Sequence, residues 1–383
     1  MAQTASVRFD IVVVGAGPAG STAALVAARR GWNVGLVDQR AFPRDKSCGD
    51  GLGPAAVRLL RKLHLGEILD GYEPSRTLRV FGPRGAEFAA PVYGMDGDGE
   101  LGYVLPREEF DDRLRHAALA AGAVDLSGHK VTTSAATENG RWVETQHGRL
   151  EADLVVAADG AYSVLRRTVA GKPPERTTAI AMRAYATTAD ADMVFEWSRE
   201  LLPAYGWIFP TGRGTANVGV GIMLGARRRR GIDLKAALEG FAESCRRRGI
   251  ALGPLGRHRS HHLPLGIRPP RLAYNGMVLI GDAASMINPL SGEGIAYGMT
   301  AAHRLVSGLA APGDRAGLRE FERWYRRTHR AHLRSSRWLQ MAMSRPWVAE
   351  RLIRTARHHP SLLRGATDLL FDLGTLRSLL KHP

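Results

Sequence analysis

Cysteine is scarce in this chain: its 383 residues include only two, Cys48 and Cys245. Two cysteines cannot form a disulfide framework, so a reducing compartment is the simpler expectation. The sequence also lacks any apolar stretch close to the roughly 20 residues that a transmembrane helix needs. Its beginning, "MAQTASVRFDIVVVGAG", lacks the basic segment, apolar run and small-residue cleavage site of a signal peptide. We therefore expect a cytoplasmic protein.

Acidic residues are the minority: 37 Asp+Glu stand against 53 Lys+Arg, a net charge of +16. A basic surface attracts phosphates, yet no zinc-finger spacing, leucine zipper or RNA-binding signature accompanies it, so nucleic acid is not an expected partner. Residues 319–383 hold 14 basic and 5 acidic residues, a net charge of +9. The same tail carries Trp324, Trp338, Trp347, Leu352, Leu362, Leu363, Leu369 and Phe371. Basic residues among such side chains favour peripheral contact with the inner face of a membrane, or a cap over an apolar tunnel.

The first forty residues predict a dinucleotide-binding turn. The segment "FDIVVVGAGPAGSTAALVAARRGWNVGLVDQR" is typical of a strand, a glycine turn, a helix and a second strand. Gly15, Gly17 and Gly20 form the G-x-G-x-x-G pattern, which permits the turn, admits a pyrophosphate and lets the helix pack on the strand. Asp38 lies 23 residues after Gly15, where a carboxylate can accept hydrogen bonds from a ribose. This segment by itself leaves NAD and FAD open.

Two later segments begin to favour FAD. "YVLPREEFDDRL" (103–114) ends a strand and opens an amphipathic helix, with Arg107 at the junction to meet phosphate. "ADLVVAADGAYSVLRR" (152–167) is a buried strand that ends in Asp159 and Gly160. Each alone could be an ordinary strand end of an α/β protein.

A third segment, "GMVLIGDAASMINPLSGEGIAYGMTAAHRL" (276–305), completes the set. A strand ends in Gly281 and Asp282, and Asp282 is placed to hold a ribityl hydroxyl. A helix starts near Gly294 and Ile295, and its N-terminus can face the flavin edge where reduction builds negative charge. The order of the segments therefore predicts FAD. The predicted cofactor contacts are Gly15, Gly17, Ala19, Gly20, Asp38, Gln39, Arg40, Cys48, Gly49, Gly51, Arg107, Val131, Asp159, Gly160, Gly281, Asp282, Gly292, Gly294 and Ile295.

These motifs together resemble the flavin-dependent hydroxylase superfamily, with its two-domain FAD fold. "KSCGDGL" (46–52) and "YGWIFPTGRGTANVGVG" (205–221) further resemble the geranylgeranyl reductase family, including its actinobacterial menaquinone reductases. "NPLSGEGI" (288–295) is similar to that family's flavin loop. The resemblance covers most of residues 8–305.

The resemblance implies reduction of carbon–carbon double bonds in a prenyl or isoprenoid lipid or quinone side chain. An isolated alkene accepts hydride poorly, so a proton donor must act at the other carbon. Cys48 is the candidate donor or gate, and its glycine neighbours would let a flexible loop approach the flavin; a simple lining role is the alternative. Tyr205 is a second candidate. Tyr205, Trp207 and Phe209 alternate and would share one strand face against the prenyl chain, although a plain aromatic core gives the same pattern.

The expected fold class is α/β, with a discontinuous Rossmann-like FAD-binding domain, an antiparallel-sheet substrate domain and a C-terminal helical segment. The expected boundaries are 1–75, 101–172 and 273–315 for the FAD-binding domain, 76–100 and 173–272 for the substrate domain, and 316–383 for the helical segment.

Several functional alternatives stay open at this point. A second G-x-G-x-x-G is missing, so electrons would come from NAD(P)H that binds transiently or from a ferredoxin-like carrier or reductase partner. The other functions are a FAD-dependent monooxygenase that epoxidises or hydroxylates a natural product, a flavin halogenase with Lys46 as its only nearby lysine, and a non-catalytic lipid-binding flavoprotein. "HRSHH" (258–262) invites a zinc interpretation, but no nearby cysteine or carboxylate completes a ligand set, so no metal is expected.

Overall fold

The computed structural model describes residues 7–91, 102–359 and 370. Its strands are Val7–Val14 (β1), Val34–Asp38 (β2), Gly51–Leu52 (β3), Thr77–Phe81 (β4), Glu87–Pro91 (β5), Tyr103–Val104 (β6), Val124–Ser127 (β7), Val131–Thr137 (β8), Gly140–Thr145 (β9), Gly148–Ala157 (β10), Thr178–Thr187 (β11), Met193–Glu196 (β12), Gly206–Pro210 (β13), Thr215–Met223 (β14), Arg259–Pro264 (β15), Ala273–Tyr274 (β16) and Met277–Leu279 (β17). Its α-helices are Pro18–Arg29 (α1), Pro54–Lys62 (α2), Arg107–Ala120 (α3), Val164–Ala170 (α4), Leu224–Arg230 (α5), Leu234–Arg247 (α6), Ile295–Ser307 (α7), Arg315–Met343 (α8) and Pro346–His358 (α9). Short 3₁₀ turns occupy Gly66–Leu69, Glu175–Thr177 and Gly281–Ala284.

The first sheet has the strand order β16-β17-β10-β1-β2-β7, and the β8–β9 hairpin joins it through β10. β17, β10, β1, β2 and β7 run parallel. These strands are apolar over most of their length, as a sheet covered on both faces requires, and α1, α3 and α7 add Leu25, Phe110 and Leu305 to its core. The carboxyl ends of parallel strands meet at one edge, so the loops that follow β1, β2, β10 and β17 lie together.

The second sheet has the order β15-β11-β14-β13-β12-β4-β5 and is antiparallel except between β12 and β4. One face packs against α5 and α6, where Leu238 and Phe241 join its core. The other face carries Trp207 and Phe209, and α9 contributes Ile353 to the same cluster. This aromatic face is the one turned toward the loops of the first sheet.

The small β3–β6 sheet ties the segment after Cys48 to the strand that precedes α3. Strands from 77–91 and 178–264 build the second sheet, and the remaining long strands build the first. The domain boundaries given above stay a prediction, because the Cys48 segment contacts both sheets.

The C-terminal region is a long helix, α8, followed directly by α9. The Asp314 carboxylate caps α8 by accepting hydrogen bonds from the backbone of Ala316 and Gly317, both at 3.0 Å. Trp324 packs against the core of the first sheet, whereas Trp338 is exposed. The predicted tail residues Leu362, Leu363, Leu369 and Phe371 lie outside the described residues. Across the described ranges, none of the helices has the length and apolar character to cross a membrane.

Candidate active site

A cavity lies between the loop edge of the first sheet and the aromatic face of the second. Many of the predicted site residues line it: Gly17, Ala19, Cys48, Gly49, Gly51, Arg107, Gly160, Tyr205, Trp207, Phe209, Gly281, Asp282, Gly292, Gly294 and Ile295. The other predicted residues are not among those that line it: Gly15, Gly20, Asp38, Gln39, Arg40, Val131 and Asp159.

The glycine turn has space for a ligand at only one of its three glycines. Gly15 has φ 103°, and a Cβ on Gly20 would lie 1.7 Å from the Gly15 carbonyl oxygen, so both are required by the turn itself. A Cβ on Gly17 would meet nothing nearer than Nη2 of Arg107 and Nη2 of Arg44, each at 3.8 Å. The open side of Gly17 therefore faces two guanidinium groups.

Two carboxylates hold these guanidinium groups in place. Arg107 is buried and donates Nε and Nη2 to the two oxygens of Asp111, both at 2.6 Å. Arg44 donates to Asp111 at 3.0 Å and to Asp38 at 3.3 Å. Planar guanidinium groups bind phosphate oxygens through paired N–H groups, as they bind carboxylates here. Arg44 and Arg107, called the guanidinium cradle below, therefore fit the pyrophosphate of FAD. Sequence analysis missed Arg44, whose only signal was its place at the start of the cysteine segment.

Both carboxylate oxygens of Asp38 accept hydrogen bonds from backbone N–H groups. Oδ2 accepts a hydrogen bond from Ala16 N at 3.0 Å and Oδ1 accepts one from Arg40 N, also at 3.0 Å. Gln39 and Arg40 are exposed, and Val131 belongs to the core of the first sheet. Asp38 thus stabilises the glycine turn in this structure. Its predicted ribose contact stays a prediction.

Asp159 follows β10, and its predicted contact with the cofactor stays a prediction. Its carboxylate caps α4 by accepting from Ser163 Oγ and from the backbone of Val164 and Leu165. Burial raises the pKa of this carboxyl, although these hydrogen bonds oppose the shift. Gly160 lines the cavity in its place, so the Asp-Gly motif shapes the wall through the backbone.

Asp282 lies in the cavity and forms an ion pair with Lys46, with Oδ2 and Nζ 3.0 Å apart. Burial alone would raise the pKa of Asp282, but Lys46 and His261 outweigh it and hold the pKa below its usual range. Burial together with Lys46 lowers the pKa of His261 to about 4, so its imidazole is neutral at pH 7. Among the described residues, no group of three or more His, Cys, Asp or Glu side chains could hold a metal ion.

The helix α7 presents its N-terminus to the cavity, with Gly294 as the residue that precedes it. Glu293 also lines the cavity, and its Oε1 accepts a hydrogen bond from Ala296 N at 2.8 Å. Burial raises the pKa of Glu293 to about 7, although backbone N–H groups at Ala296 and Ile295 oppose the rise. Sequence analysis did not single out Glu293, because a glutamate before a helix is usually only a cap.

Cys48 is partly exposed, on the wall of the cavity, whereas Cys245 is buried in the core of the second sheet. Burial is the largest influence on the Cys48 thiol and raises its pKa; Arg107 opposes this and Asp50 adds to it. The group facing the cavity is therefore a thiol, not a thiolate, near neutral pH.

Gly49, next to Cys48, packs closely against the aromatic face. A Cβ on Gly49 would lie 3.2 Å from Phe209 Cε2, and one on Gly51 would lie 3.8 Å from the same ring. The left-handed backbone of this loop falls instead on Asp50, with φ 62°. The cysteine loop thus packs against the aromatic face at Gly49, and its predicted flexibility stays a prediction.

Tyr205, Trp207 and Phe209 share one face, as predicted. Neighbouring ring centroids are 6.1 Å apart for Tyr205–Trp207 and 6.1 Å for Trp207–Phe209. The Tyr205 hydroxyl donates to the carbonyl of Ser291 in the loop before α7. Burial raises the pKa of Tyr205 well above its ordinary value. The aromatic wall and the loop of the first sheet therefore form one continuous site.

Asn217 connects this wall to the cysteine loop, and sequence analysis missed it. Its Oδ1 accepts a hydrogen bond from Trp207 Nε1 at 2.9 Å. Its Nδ2 donates to the Cys48 carbonyl at 2.8 Å and to Asp50 Oδ2 at 2.7 Å. The only available signal was one buried amide in a strand of alternating residues.

Comparison with known proteins agrees with this geometry. The model of the FAD binding domain family matches residues 8–333, so the chain belongs to that family. A menaquinone reductase of Mycolicibacterium smegmatis is 38% identical over 319 residues, which are 80% of this chain and 77% of the relative. Digeranylgeranylglycerophospholipid reductase 2 of Methanopyrus kandleri is 34% identical, over 75% of this chain and 73% of the relative.

Among solved structures, a geranylgeranyl bacteriochlorophyll reductase-like protein of Thermoplasma acidophilum has a TM-score of 0.75 and 22% identity, covering 99% of this chain and 96% of that one. This similarity concerns the fold. The resemblance and the α/β fold class predicted from sequence are confirmed, and the protein is an FAD-dependent oxidoreductase.

Proposed function

We propose that the protein reduces carbon–carbon double bonds in the prenyl chain of an isoprenoid lipid or quinone. The names of the relatives support this substrate class. The observation that carries the proposal is that the Cys48 thiol and the aromatic wall line the same cavity as the guanidinium cradle. That arrangement would bring a proton source and an apolar wall to one flavin site.

The proposed cofactor site uses the cradle and the helix terminus. Arg44 and Arg107 would hold the pyrophosphate of FAD, and Asp282 would hold a ribityl hydroxyl. The N-terminus of α7 at Gly294 and Ile295 would face the part of the flavin that becomes negative. When reduced, FAD supplies the hydride.

Cys48 would supply the proton that completes the reduction. Hydride forms a C–H bond at one alkene carbon while the Cys48 proton forms a C–H bond at the other, which converts the double bond to a single bond. The thiolate left behind is stabilised by the Arg107 guanidinium and regains its proton from water. Tyr205 is a weaker donor, because its hydroxyl already donates to Ser291.

The aromatic wall would exclude water and align the prenyl chain. Trp207 lies across β14, where Gly219 leaves room for its ring, and Phe209 extends the apolar surface beside Gly49. Strand β11 contributes the small side chains of Ala179 and Ala181 to the cavity lining, together with Arg183. A slender, repeating methyl-branched chain fits between these surfaces better than a polar substrate does.

Single-turnover kinetics without oxygen test the proposal. Reduced enzyme is mixed with a prenyl alkene, and flavin reoxidation is followed by absorbance. Cys48→Ala should keep FAD and lose roughly 10²–10⁴-fold in rate, and Cys48→Ser should keep part of the rate or change which bonds are reduced. Cys245→Ala is the matched control, since that thiol is buried away from the cavity. Wild-type rate and product pattern in Cys48→Ala would remove the cysteine from the mechanism.

The same assay separates the other functions. A monooxygenase or halogenase would reoxidise its flavin only with oxygen, and a lipid-binding flavoprotein would not reoxidise it with the alkene at all. Reoxidation of wild-type enzyme by the alkene without oxygen supports the reductase.

We propose that electrons arrive from NAD(P)H or from a ferredoxin-like carrier. The basic character of the chain favours an acidic carrier, since complementary charge speeds encounter. Anaerobic stopped-flow mixing with NADPH, NADH or a reduced ferredoxin distinguishes the donors. A salt-dependent rate with ferredoxin alone would identify the protein carrier.

We also propose that the α8–α9 corner contacts an anionic membrane surface. Trp338, Met341, Trp347 and Leu352 are exposed by 63%, 45%, 55% and 42%. Exposed basic side chains surround them: Arg334, Arg345, Arg351, Arg354 and Arg357. Gln340, within the same turn as Trp338, lines the cavity, so this corner would let a prenyl chain pass from the bilayer into the site.

Liposome sedimentation tests the membrane surface. Wild-type protein should bind vesicles that contain anionic lipid, and binding should weaken with salt, because each basic residue near such a surface contributes about 1 kcal/mol. The double variant Trp338→Ser, Trp347→Ser should bind less. Val124→Thr alters an exposed apolar residue on β7 and should bind like wild type. Equal binding by all three proteins would refute this surface.

A further inference from the structure

Asp50 is an unusual residue for its position. Its side chain is completely buried beneath the cysteine loop, and its backbone adopts φ 62°. Glycine would adopt that backbone at lower cost, so the turn alone gives no reason for a carboxylate. A buried carboxylate costs stability unless its oxygens are hydrogen-bonded.

Only half of the Asp50 carboxylate is satisfied. Oδ2 accepts hydrogen bonds from the Tyr185 hydroxyl and from Asn217 Nδ2. Oδ1 is buried and has no hydrogen-bond partner among the residues that the structure describes. Burial raises the pKa of Asp50 to about 6, against the opposing hydrogen bonds of Tyr185 and Asn217 and the charges of Arg183 and Arg107.

The charged groups around Cys48 show how the negative charge of Asp50 would act on the thiol. Burial is the largest influence and favours a thiol, and the Asp50 carboxylate adds to it; Arg107 on α3, Lys46 on the loop and the Asp50 backbone N–H favour a thiolate. Tyr205 also lines the cavity, and burial raises its pKa well above its ordinary value, so it is neutral at pH 7. The Asp50 carboxylate thus counters the effect of two cations on the Cys48 thiol. This matters because a thiolate could not deliver a proton.

We propose that Asp50 is a positioning residue for Cys48. Anchored by Tyr185 and Asn217, it fixes the cysteine turn and keeps the neighbouring sulfur protonated against Arg107 and Lys46. Because Asn217 bonds both the Cys48 carbonyl and Asp50 Oδ2, the turn and the charge are held by one side chain. The catalytic meaning of this arrangement rests on the proposed function, but the effect on the thiol does not.

The test is the pH profile of Cys48 alkylation by iodoacetamide in the FAD-loaded full-length protein, followed by mass spectrometry. Cys245 is buried and serves as the unreactive internal reference. Asp50→Asn should move the alkylation midpoint down by roughly 1–3 pH units, since it removes a like charge from beside the sulfur. Asp50→Gly, which suits the left-handed backbone, should move it in the same direction even if the asparagine variant folds poorly.

Asp45→Asn is the matched control. Asp45 lies on the same loop and carries the same charge, but it pairs with Arg183 and Arg259 instead of facing the sulfur. Its alkylation midpoint should stay within a few tenths of a pH unit of wild type. A folded Asp50→Asn or Asp50→Gly with the wild-type midpoint would overturn the proposal, as would an equal shift in Asp45→Asn.

Alkylation also separates this inference from the proposed reaction. If the midpoint shifts in Asp50→Asn while Cys48→Ala still reduces the alkene, Asp50 controls the thiol and the cysteine is not the donor. If both proposals hold, the alkaline limb of the single-turnover rate should move to lower pH in Asp50→Asn by the same amount as the alkylation midpoint.

Discussion

A single methyl group at Gly219 should disturb both the aromatic wall and the cysteine loop. A Cβ there would lie 2.0 Å from Cζ2 of Trp207 and 2.5 Å from Cε2. Carbon atoms pack at about 3.5–4.0 Å, so the indole must move by more than 1 Å. That movement strains the 2.9 Å hydrogen bond from Trp207 to Asn217, which also holds Cys48 and Asp50.

The expected cost can be worked from two contributions. Overpacking a close-packed site costs about 1–3 kcal/mol. Loss of the indole hydrogen bond adds about 0.5–1.5 kcal/mol. Gly219→Ala should therefore lower the free energy of unfolding by about 2–4 kcal/mol. The variant should also lose alkene reduction, since the wall no longer fits the cysteine turn.

Urea unfolding of the FAD-loaded protein measures the loss in free energy of unfolding, and two further variants test its cause. Gly221→Ala is the matched control on the same strand, because its Cβ would meet nothing nearer than 3.8 Å. Trp207→Phe removes the ring that clashes, so Gly219→Ala should cost much less in that background than in wild type. Similar losses for Gly219→Ala and Gly221→Ala, or an unchanged loss in the Trp207→Phe background, would refute the reasoning.

Three further predictions address charge. Folding raises the pKa of Asp50 from 3.8 to about 6. The protonated side chain therefore contributes stability that is fully present below about pH 3.8 and is lost as the pH rises through 6. The loss is about 3 kcal/mol, and urea unfolding of Asp50→Asn between pH 4 and 8 should lack it; parallel curves would contradict this. Arg107→Lys keeps the charge but loses the paired contacts to Asp111, so fluorescence titration should show FAD binding weakened roughly 10–100-fold. Asp282→Ala leaves Lys46 without its carboxylate and should release FAD on gel filtration, whereas full retention would exclude the ribityl contact.

The parts of the site that follow regular strands were predictable from sequence. Gly17 and Asp282 follow β1 and β17, and parallel strands bring their carboxyl ends to one edge whatever the intervening residues are. Likewise, Trp207 and Phe209 alternate on a strand, so a shared face follows from the period of two. Periodicity and strand order are local properties, and they located one wall of the cavity from each sheet.

The connections between those walls could not be predicted. Asn217 contacts Asp50 across 167 residues of sequence, and no local pattern marks either residue as a partner of the other. Arg44 reaches Asp111 across 67 residues, and its role depends on where the loop before Cys48 turns. Such pairs depend on how loops, helices and sheets far apart in the chain are placed, which no local pattern specifies.

The motifs also predict direct cofactor contacts by Asp159 and Asp38; these stay predictions, and the structure shows a structural role for each residue. Asp159 caps α4 and Asp38 holds the glycine turn, so both stabilise backbone that shapes the cavity. A buried acid after a strand can bind a ligand or cap the next helix, and both uses leave the same residues in sequence. The distinction needs the positions of the neighbouring N–H groups.

The position of Cys48 reflects two demands that conflict. The proposed phosphate contact requires Arg107 at the cavity, and a cation at that position favours a thiolate. Proton delivery to an alkene needs the opposite, a thiol that stays protonated until the hydride moves. Asp50 resolves the conflict only if it is buried, because a solvent-exposed carboxylate would be screened and would act weakly on the sulfur. Its burial then explains the hydrogen bonds that Oδ2 accepts from Tyr185 and Asn217, which offset part of the desolvation cost. Among the described residues, Oδ1 has no hydrogen-bond partner.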